Sequence, residues 1–151
     1  MIYKEKVGDL FSASEENYFV HCISDDYALA GGIAVEFNNR FDMRNKLNAA
    51  RRSHPAFSQT NGHCIPIDKV LNLVTKQWCW EQPTYDSLIN ALLDMRRICR
   101  EKNITSIAMP LIGCGIDGCN WTVVSALIKG VFAETDVNIT VYRLETECTN
   151  G

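Results

Sequence analysis

The sequence predicts a mixed α/β layer architecture folded as one domain. Segments rich in β-branched and aromatic residues alternate with segments whose apolar residues recur at helical spacing, which is typical of a sheet covered by helices. The chain has 151 residues, of which 46% are hydrophobic and 22% are charged, enough for one substantial core. We find no linker, repeat or low-complexity segment. We therefore treat residues 1–151 as a single domain and expect residues 145–151 to form a loose tail.

The first half of the chain contains two predicted strands followed by helices. Residues 2–7 form an opening strand, and residues 17–24 form a clearer one because aromatic and β-branched residues dominate it. The apolar residues of 33–41 have helical spacing, and 42–52 has the pattern of a short polar helix. A loop is expected over 53–61, where His-Pro and Asn-Gly pairs signal turns.

The middle of the chain predicts a hairpin and a long helix. Residues 63–67 and 70–75 are apolar runs that can pair across Asp68-Lys69. An apolar stripe then runs through 84–102, and Thr84, directly after Pro83, fits the N-cap position.

A glycine-rich turn near the C-terminus is the most informative stretch. Gly113-Cys-Gly-Ile-Asp-Gly118 follows a strand predicted over 104–112 and precedes a helix predicted over 121–134; a strand over 138–144 closes the domain. Glycines let a ligand approach the backbone closely, and a helix N-terminus attracts phosphate. The Asp117 carboxylate would repel a phosphate bound at this turn, so Asp117 either caps the helix or takes part in chemistry beside the ligand.

A second glycine turn, Gly31-Gly32, lies between the strand at 17–24 and the helix at 33–41. Ligands of open α/β sheets bind at the carboxyl ends of the strands, and both glycine turns lie at such ends. We therefore expect the two turns to converge on one pocket, which would suit an extended ligand with two phosphates.

Lys76 is the second candidate catalytic residue, because it directly follows the apolar strand predicted over residues 70–75. A lysine at the edge of an apolar site can become a nucleophile, although a solvated lysine is the simpler interpretation. Trp78 and Trp80 follow it directly. They can stack on a base or a sugar, or belong to the edge of the core or to a partner surface.

Two polar residues of the strand at 17–24 also require an interpretation. His21 lies among apolar residues, where a hydrogen-bonded core histidine is a simpler explanation than a general base. Ser24, with Asp25 and Asp26, ends the strand; these residues can bind sugar hydroxyls or form an Asx-type turn.

Composition narrows the class of protein and its surroundings. Seven cysteines without a CxxC pair, and without the spacing of a zinc site, indicate a reducing, cytoplasmic compartment and no metal. A formal charge of −3 argues against general affinity for nucleic acids or membranes. No apolar run reaches membrane-spanning length, and the first residues lack a signal core. We expect a monomer.

Several motifs together resemble the macrodomain family, and within it the terminal ADP-ribose protein glycohydrolase branch. They are Val7-Gly-Asp-Leu-Phe11, His21-Cys-Ile-Ser-Asp-Asp26, Ala30-Gly-Gly-Ile-Ala-Val-Glu-Phe37, Leu73-Val-Thr-Lys76, Pro83-Thr-Tyr85, Pro110-Leu-Ile-Gly-Cys-Gly-Ile-Asp117 and Asp136-Val-Asn-Ile-Thr-Val-Tyr142. The resemblance covers nearly the whole chain in the right order. The paired asparagines of many macrodomain hydrolases are absent from the strand at 17–24.

The resemblance implies a three-layer α/β/α fold with a mixed central sheet that binds ADP-ribose or an ADP-ribosylated substrate. It implies that Lys76 and Asp117 are the catalytic pair, the lysine attacking C1″ of the ring-opened distal ribose and the aspartate handling protons. No cofactor is needed. The candidate ligand-binding residues are Asp9 and Leu10 on the adenine side and, around the remaining ligand, His21, Ser24, Gly31, Gly32, Ile33, Ala34, Gly113, Cys114, Gly115 and Ile116.

Four functions follow from this resemblance. The first is a hydrolase that releases ADP-ribose from acidic side chains or deacylates O-acyl-ADP-ribose. The alternatives are an ADP-ribose-1″-phosphate phosphatase, an enzyme that removes ADP-ribose from nucleic-acid bases, and a reader that only binds. The charge of −3 argues against a DNA substrate, and a reader would need neither Lys76 nor Asp117 for catalysis.

Overall fold

A computed structural model of the protein describes residues 1–145, so residues 146–151 of the expected tail lie outside the described residues. The strands are β1 (Ile2–Val7), β2 (Tyr18–Ser24), β3 (His63–Ile67), β4 (Val70–Lys76), β5 (Ser106–Met109) and β6 (Asn138–Arg143). The helices are α1 (Ile33–Phe41), α2 (Met43–Ala50), α3 (Phe57–Thr60), α4 (Tyr85–Lys102) and α5 (Trp121–Phe132).

The strands form one mixed sheet in the order β1-β6-β5-β2-β4-β3. Every neighbouring pair is parallel except β3 and β4, which form the predicted antiparallel hairpin. The carboxyl ends of β2, β4 and β5 therefore meet at one end of the sheet, which is where the sequence places both glycine turns.

Helices cover both faces of the sheet, which confirms the three-layer α/β/α architecture. Helices α4 and α5 bury an apolar cluster against one face, and α1 and α2 bury a second cluster against the other. None of the helices formed by residues 1–145 has the length and apolar character that crossing a membrane requires.

Several elements differ from the sequence prediction in their bounds; α5, for example, ends at Phe132 and not at residue 134. The strand predicted over 104–112 stops at Met109, because Pro110 has no N–H to donate to a neighbouring strand. The polar helix predicted over 42–52 ends at Ala50 and passes into a tight 3₁₀ turn over Arg51–Ser53. The loop expected over 53–61 contains the short helix α3.

Helix caps fix where the two long helices begin. The Thr84 side chain accepts the N–H of Ser87, and the Ser87 hydroxyl accepts the N–H of Thr84, which forms a reciprocal capping box. Asn120 caps α5 by accepting the N–H groups of Thr122 and Val123. Asp117 therefore does not cap this helix, because the cap is Asn120.

The two edge strands are protected. On β3, the Asp94 carboxylate of α4 accepts the N–H of Cys64 at 2.7 Å, and Pro66 offers no N–H. On β1, most of the strand is exposed, and it carries the alternating charges Lys4-Glu5-Lys6. Charged residues and proline are common protective features of sheet edges.

Candidate active site

A cavity of about 850 Å³ opens at the carboxyl ends of β2 and β4 and is lined by both glycine turns. Of the residues that the sequence singles out, the cavity wall contains Asp9, Leu10, Ser24, Gly31, Gly32, Ile33, Ala34, Lys76, Gly113, Gly115, Ile116 and Asp117. One concave site thus collects side chains and turns from positions more than one hundred residues apart in the sequence. Such a cavity is large enough for a nucleotide-sized ligand.

Lys76 and Asp117 form an ion pair in this wall. The Lys76 Nζ lies 2.6 Å from Asp117 Oδ1, and the two side chains are only 11% and 16% exposed. A short contact with so little water favours an interaction much stronger than that of a surface ion pair. The two residues are therefore held as one unit, with an amine and a proton acceptor in direct contact.

A β-bulge determines which strand position lies beside Lys76. The pairing of β2 with β4 runs from Ile23 opposite Val74 directly to Ser24 opposite Lys76, which leaves Thr75 as the extra residue. Side chains alternate between the faces of a regular strand, and a bulge changes this alternation and re-aims the residue that follows. The bulge thus places Lys76 next to Ser24 at the cavity.

The N-terminus of α1 faces the cavity without a side-chain cap. Gly32 occupies the N-cap position with φ +59° and ψ −146°, and no side chain accepts the first N–H groups of the helix. Ile33 and Ala34, the first two helical residues, line the cavity. Uncapped amides at the positive end of a helix are suited to bind an anionic group.

The second glycine turn reaches across to the first. Gly113 has φ +73°, and its carbonyl accepts the N–H of Cys119 at 2.8 Å, which closes the turn. Ile116 projects from this turn and is 70% exposed. A Cβ added at Gly31 would lie only 2.8 Å from Ile116 Cδ1, so the end of the Ile116 side chain reaches the first glycine turn.

The loop between β2 and α1 is anchored by Asp26. Its carboxylate accepts hydrogen bonds from the Ser24 hydroxyl at 2.5 Å, the Ala28 N–H at 3.1 Å and the Cys79 N–H at 2.9 Å. Partial burial opposes ionisation, yet these hydrogen bonds hold the pKa of Asp26 below its ordinary value. The Ser24 hydroxyl therefore donates to the Asx-type turn at Asp26, which is one of the two alternatives that the sequence predicts for these residues.

The turn after β1 contributes Asp9 and Leu10 to the wall. Asp9 accepts the N–H of Phe11 at 3.0 Å, and Leu10 is buried where it lines the cavity. Tyr142, at the end of β6, lines the cavity as well, with the Lys6 ammonium over its ring. Tyr142 belongs to a motif that carries the family resemblance but is not among the candidate site residues predicted from the sequence; its place near the carboxyl end of a predicted strand was a usable signal.

Two predicted ligand residues, His21 and Cys114, are not in the wall. His21 is fully buried, stacks on Phe37 with the ring centroids 3.8 Å apart, and bonds through Nε2 to Asn72 Oδ1 at 2.6 Å. Burial lowers the pKa of His21 to about 4, so the ring is neutral at neutral pH. Cys114 is half-buried and packs against the cluster beneath α4 and α5. His21 thus has the place of a core histidine.

A second depression, of about 740 Å³, lies between β3 and α4. It contains none of the residues that the sequence analysis proposed for catalysis or binding. The candidate catalytic pair and both glycine turns belong to the first cavity.

Comparisons with known proteins identify the family to which the chain belongs. The Macro domain family profile matches residues 25–128, which include both glycine turns. The chain is 39% identical to a Bos taurus protein named ADP-ribose glycohydrolase OARD1, over 91% of this chain and 88% of that protein. It is 29% identical to a Mycobacterium tuberculosis protein named DNA ADP-ribosyl glycohydrolase, over 89% of this chain but 40% of that protein.

Solved structures share the fold. The macrodomain of Mycobacterium tuberculosis DarG superimposes with a TM-score of 0.82 at 24% identity, over 93% of this chain and 97% of that one. A Thermosipho africanus DarTG structure, described as a complex with ADP-ribose, superimposes with a TM-score of 0.76 at 15% identity, over 97% of this chain and 43% of that one.

Proposed function

Because this chain belongs to the Macro domain family, we propose that it is an ADP-ribosyl hydrolase acting on ADP-ribose esters. Its substrates would be ADP-ribose attached to acidic side chains, or O-acyl-ADP-ribose. The contact of 2.6 Å between Lys76 Nζ and Asp117 Oδ1 in the cavity wall is the observation that carries the proposal. The glycohydrolase name of the 39% identical relative supports it.

In this proposal the two glycine turns hold the diphosphate and the distal ribose. Among the described residues of the wall, Lys76 is the only lysine or arginine, and its charge is paired with Asp117. Backbone N–H groups of the α1 N-terminus and of the turn at Gly113 would therefore neutralise most of the phosphate charge. Holding the ligand in this way positions C1″ of the ribose against the amine, which removes much of the entropic cost of the reaction.

The catalytic step uses the pair as nucleophile and base. The Lys76 amine attacks C1″ once its proton has moved to Asp117, the bond from C1″ to the ester oxygen breaks, and the acceptor leaves as a carboxylate. A carboxylate is a good leaving group, so the step does not require a strong acid. Asp117 passes the proton that it took from Lys76 to the departing carboxylate, and the regenerated Asp117 carboxylate then removes a proton from the water that attacks C1″. The bond between C1″ and Nζ breaks, ADP-ribose is released, and the proton on Asp117 returns to the Lys76 amine, which restores the ion pair.

The ion pair itself opposes this step, because it stabilises the protonated amine. Its low exposure works in the other direction. Away from water, transferring the proton from Nζ to Oδ1 replaces two charged groups by two neutral ones and relieves the desolvation penalty of both. Ligand entry would displace more water and lower the free-energy cost of this proton transfer.

Two variants and two substrates test the proposal. Purified protein is incubated with an ADP-ribosyl-glutamate peptide and with ADP-ribose-1″-phosphate, alongside Lys76→Ala and Asp117→Ala. We expect release of ADP-ribose from the peptide by the parent protein and loss of that release in Lys76→Ala, with ADP-ribose binding largely kept. Phosphate release that survives Lys76→Ala would instead indicate the phosphatase, and tight binding with no turnover would indicate a reader.

A second candidate function is removal of ADP-ribose from DNA bases. It is favoured by the name of the 29% identical relative from Mycobacterium tuberculosis. The net charge of −3 disfavours it, since binding of DNA depends on neutralising phosphates with lysine and arginine. An ADP-ribosylated oligonucleotide, added to the same assay, separates the two functions by the ratio of kcat/KM values.

A further inference from the structure

Trp78 and Trp80 form a stacked pair on the protein surface. Their ring centroids are 5.4 Å apart and their planes differ by only 2°. The side chains are 43% and 73% exposed, which is unusual for such large apolar groups. The two rings are parallel, and the larger exposed fraction of Trp80 leaves its ring accessible to a partner.

The pair is held in place by its own turn. The Trp78 N–H donates to Glu81 Oε1 at 2.7 Å, and the Glu81 N–H donates back to the Trp78 carbonyl at 3.0 Å. Between the rings, the Cys79 N–H donates to Asp26 Oδ2 at 2.9 Å. Because the turn is already ordered, a partner that binds to it pays little additional conformational entropy.

The turn adjoins the catalytic end of the cavity. Trp78 is two residues beyond Lys76, and Cys79, which separates the two tryptophans, lines the cavity itself. A group that is bonded to C1″ of a ribose held against Lys76 would leave the cavity beside this turn. The tryptophan pair is therefore positioned to contact the acceptor to which ADP-ribose is attached.

The charges around the pair indicate the kind of acceptor. Residues 77–86 include Glu81 and Asp86 but no lysine or arginine. The Lys76 charge is paired with Asp117, and the Arg51 charge beside the Asp25–Asp26 loop is paired with Asp25, so these cations are already neutralised and attract a nucleic-acid backbone only weakly. A cation, in contrast, is attracted both by the face of a tryptophan and by the neighbouring carboxylate.

We propose that the Trp78–Trp80 pair is a docking platform for a lysine or arginine side chain of the polypeptide that carries the ADP-ribosyl group. This inference rests on the proposed function and specifies its substrate as a protein with a basic residue close to the modified acidic one. The cation stacks on the exposed ring of Trp80, and Glu81 contributes the opposing charge.

Two peptides that differ only beside the modification test this inference. Each peptide carries an ADP-ribosyl-glutamate, which is flanked by arginine in one peptide and by glutamine in the other. O-acetyl-ADP-ribose is a third substrate, which contains no polypeptide. We expect the parent protein to prefer the arginine peptide in kcat/KM by roughly 2- to 5-fold, the range for an exposed cation over a tryptophan. Trp80→Ala should abolish the preference without changing the turnover of O-acetyl-ADP-ribose.

Control variants separate stacking from general surface effects. Trp80→Phe retains an aromatic face and should keep part of the preference. Leu93→Ala removes an exposed apolar side chain of α4 in the second depression and should keep all of it. Equal kcat/KM values for the two peptides in an active parent protein would overturn the platform and leave the proposed function standing.

Two further outcomes are distinguishable. If the parent protein turns over none of the substrates, the proposed function fails, and the platform is tested by isothermal titration with the same peptides. Equal affinities for the arginine and glutamine peptides would then overturn it. A preference for ADP-ribose on single-stranded DNA that Trp80→Ala removes would also overturn it, in favour of base stacking.

Discussion

Replacing Gly32 with alanine tests whether the first glycine turn must have the backbone conformation seen at the cavity. Gly32 has φ +59° and ψ −146°, close to a region that is essentially restricted to glycine. A Cβ at this position would lie 3.6 Å from Ile116 Cδ1, which is an ordinary contact. The cost of Gly32→Ala therefore arises from the backbone and not from a clash.

The strain is worth about 1–3 kcal/mol. If the turn keeps its conformation, the free energy of unfolding falls by that amount, and Tm falls by roughly 2–12 °C for a domain of this size. If the turn relaxes instead, the first amides of α1 move away from the anion, and the Kd for ADP-ribose rises by up to about 150-fold. Thermal unfolding by circular dichroism and isothermal titration with ADP-ribose measure the two quantities.

Gly130→Ala is the matched control. Gly130 is an exposed glycine of α5, and an added Cβ would meet no atom within 4 Å. Alanine should stabilise the helix by about 0.5–1 kcal/mol and leave the affinity for ADP-ribose unchanged. A Gly32→Ala variant with both the Tm and the Kd of the parent protein would refute the reasoning, because the strain would then appear in neither measurement.

Three further predictions concern stability and are measured by urea unfolding. Burial lowers the pKa of His21 from 6.5 to about 4, so the ring is neutral in the folded protein at neutral pH. Between these two pH values only the unfolded chain binds the proton, so the free energy of unfolding falls by up to about 3 kcal/mol as pH falls from 6.5 to 4. His21→Gln should remove this part of the pH dependence. Asp94→Ala leaves the buried Cys64 N–H without an acceptor and should cost about 1–3 kcal/mol, whereas Asp94→Asn, which keeps an oxygen, should cost less. Thr84→Ala removes the cap of α4 and should cost about 0.5–2 kcal/mol, whereas Thr84→Ser should be nearly neutral.

Each of these predictions has a contrary result. The same pH dependence in His21→Gln as in the parent protein would mean that other groups govern acid unfolding. Equal stabilities of Asp94→Ala and Asp94→Asn would mean that the contact with Cys64 contributes nothing. A large loss in Thr84→Ser would indicate that the threonine methyl group, and not its hydroxyl, stabilises the start of α4.

Most of the architecture was predictable because it depends on local patterns. Aromatic and β-branched residues located β2, an apolar run located β4, helical spacing located α1, α4 and α5, and Thr84 marked the start of α4. The position of both glycine turns at strand ends was enough to predict that they line one cavity. These features depend on residues close together in the chain, which a single sequence displays.

The geometry of Lys76 was not predictable in the same way. The sequence of β4 gives no sign of the β-bulge that leaves Thr75 without a partner residue in the pairing with β2. The contact of Lys76 with Asp117 joins residues 41 positions apart and depends on that bulge. The placement of His21 in the core likewise depends on Phe37 and Asn72, which the pattern of β2 alone does not reveal.

The protected edges of the sheet restrict how another molecule can approach. A strand added beside β3 would find the Cys64 N–H already bonded to Asp94 and no N–H at Pro66, and one added beside β1 would meet a row of charges. Lateral growth of the sheet, the route by which many β-proteins associate or aggregate, is therefore disfavoured on both sides. A protein substrate is left with the rim of the cavity as its approach, so recognition depends on side chains there and not on shared backbone pairing.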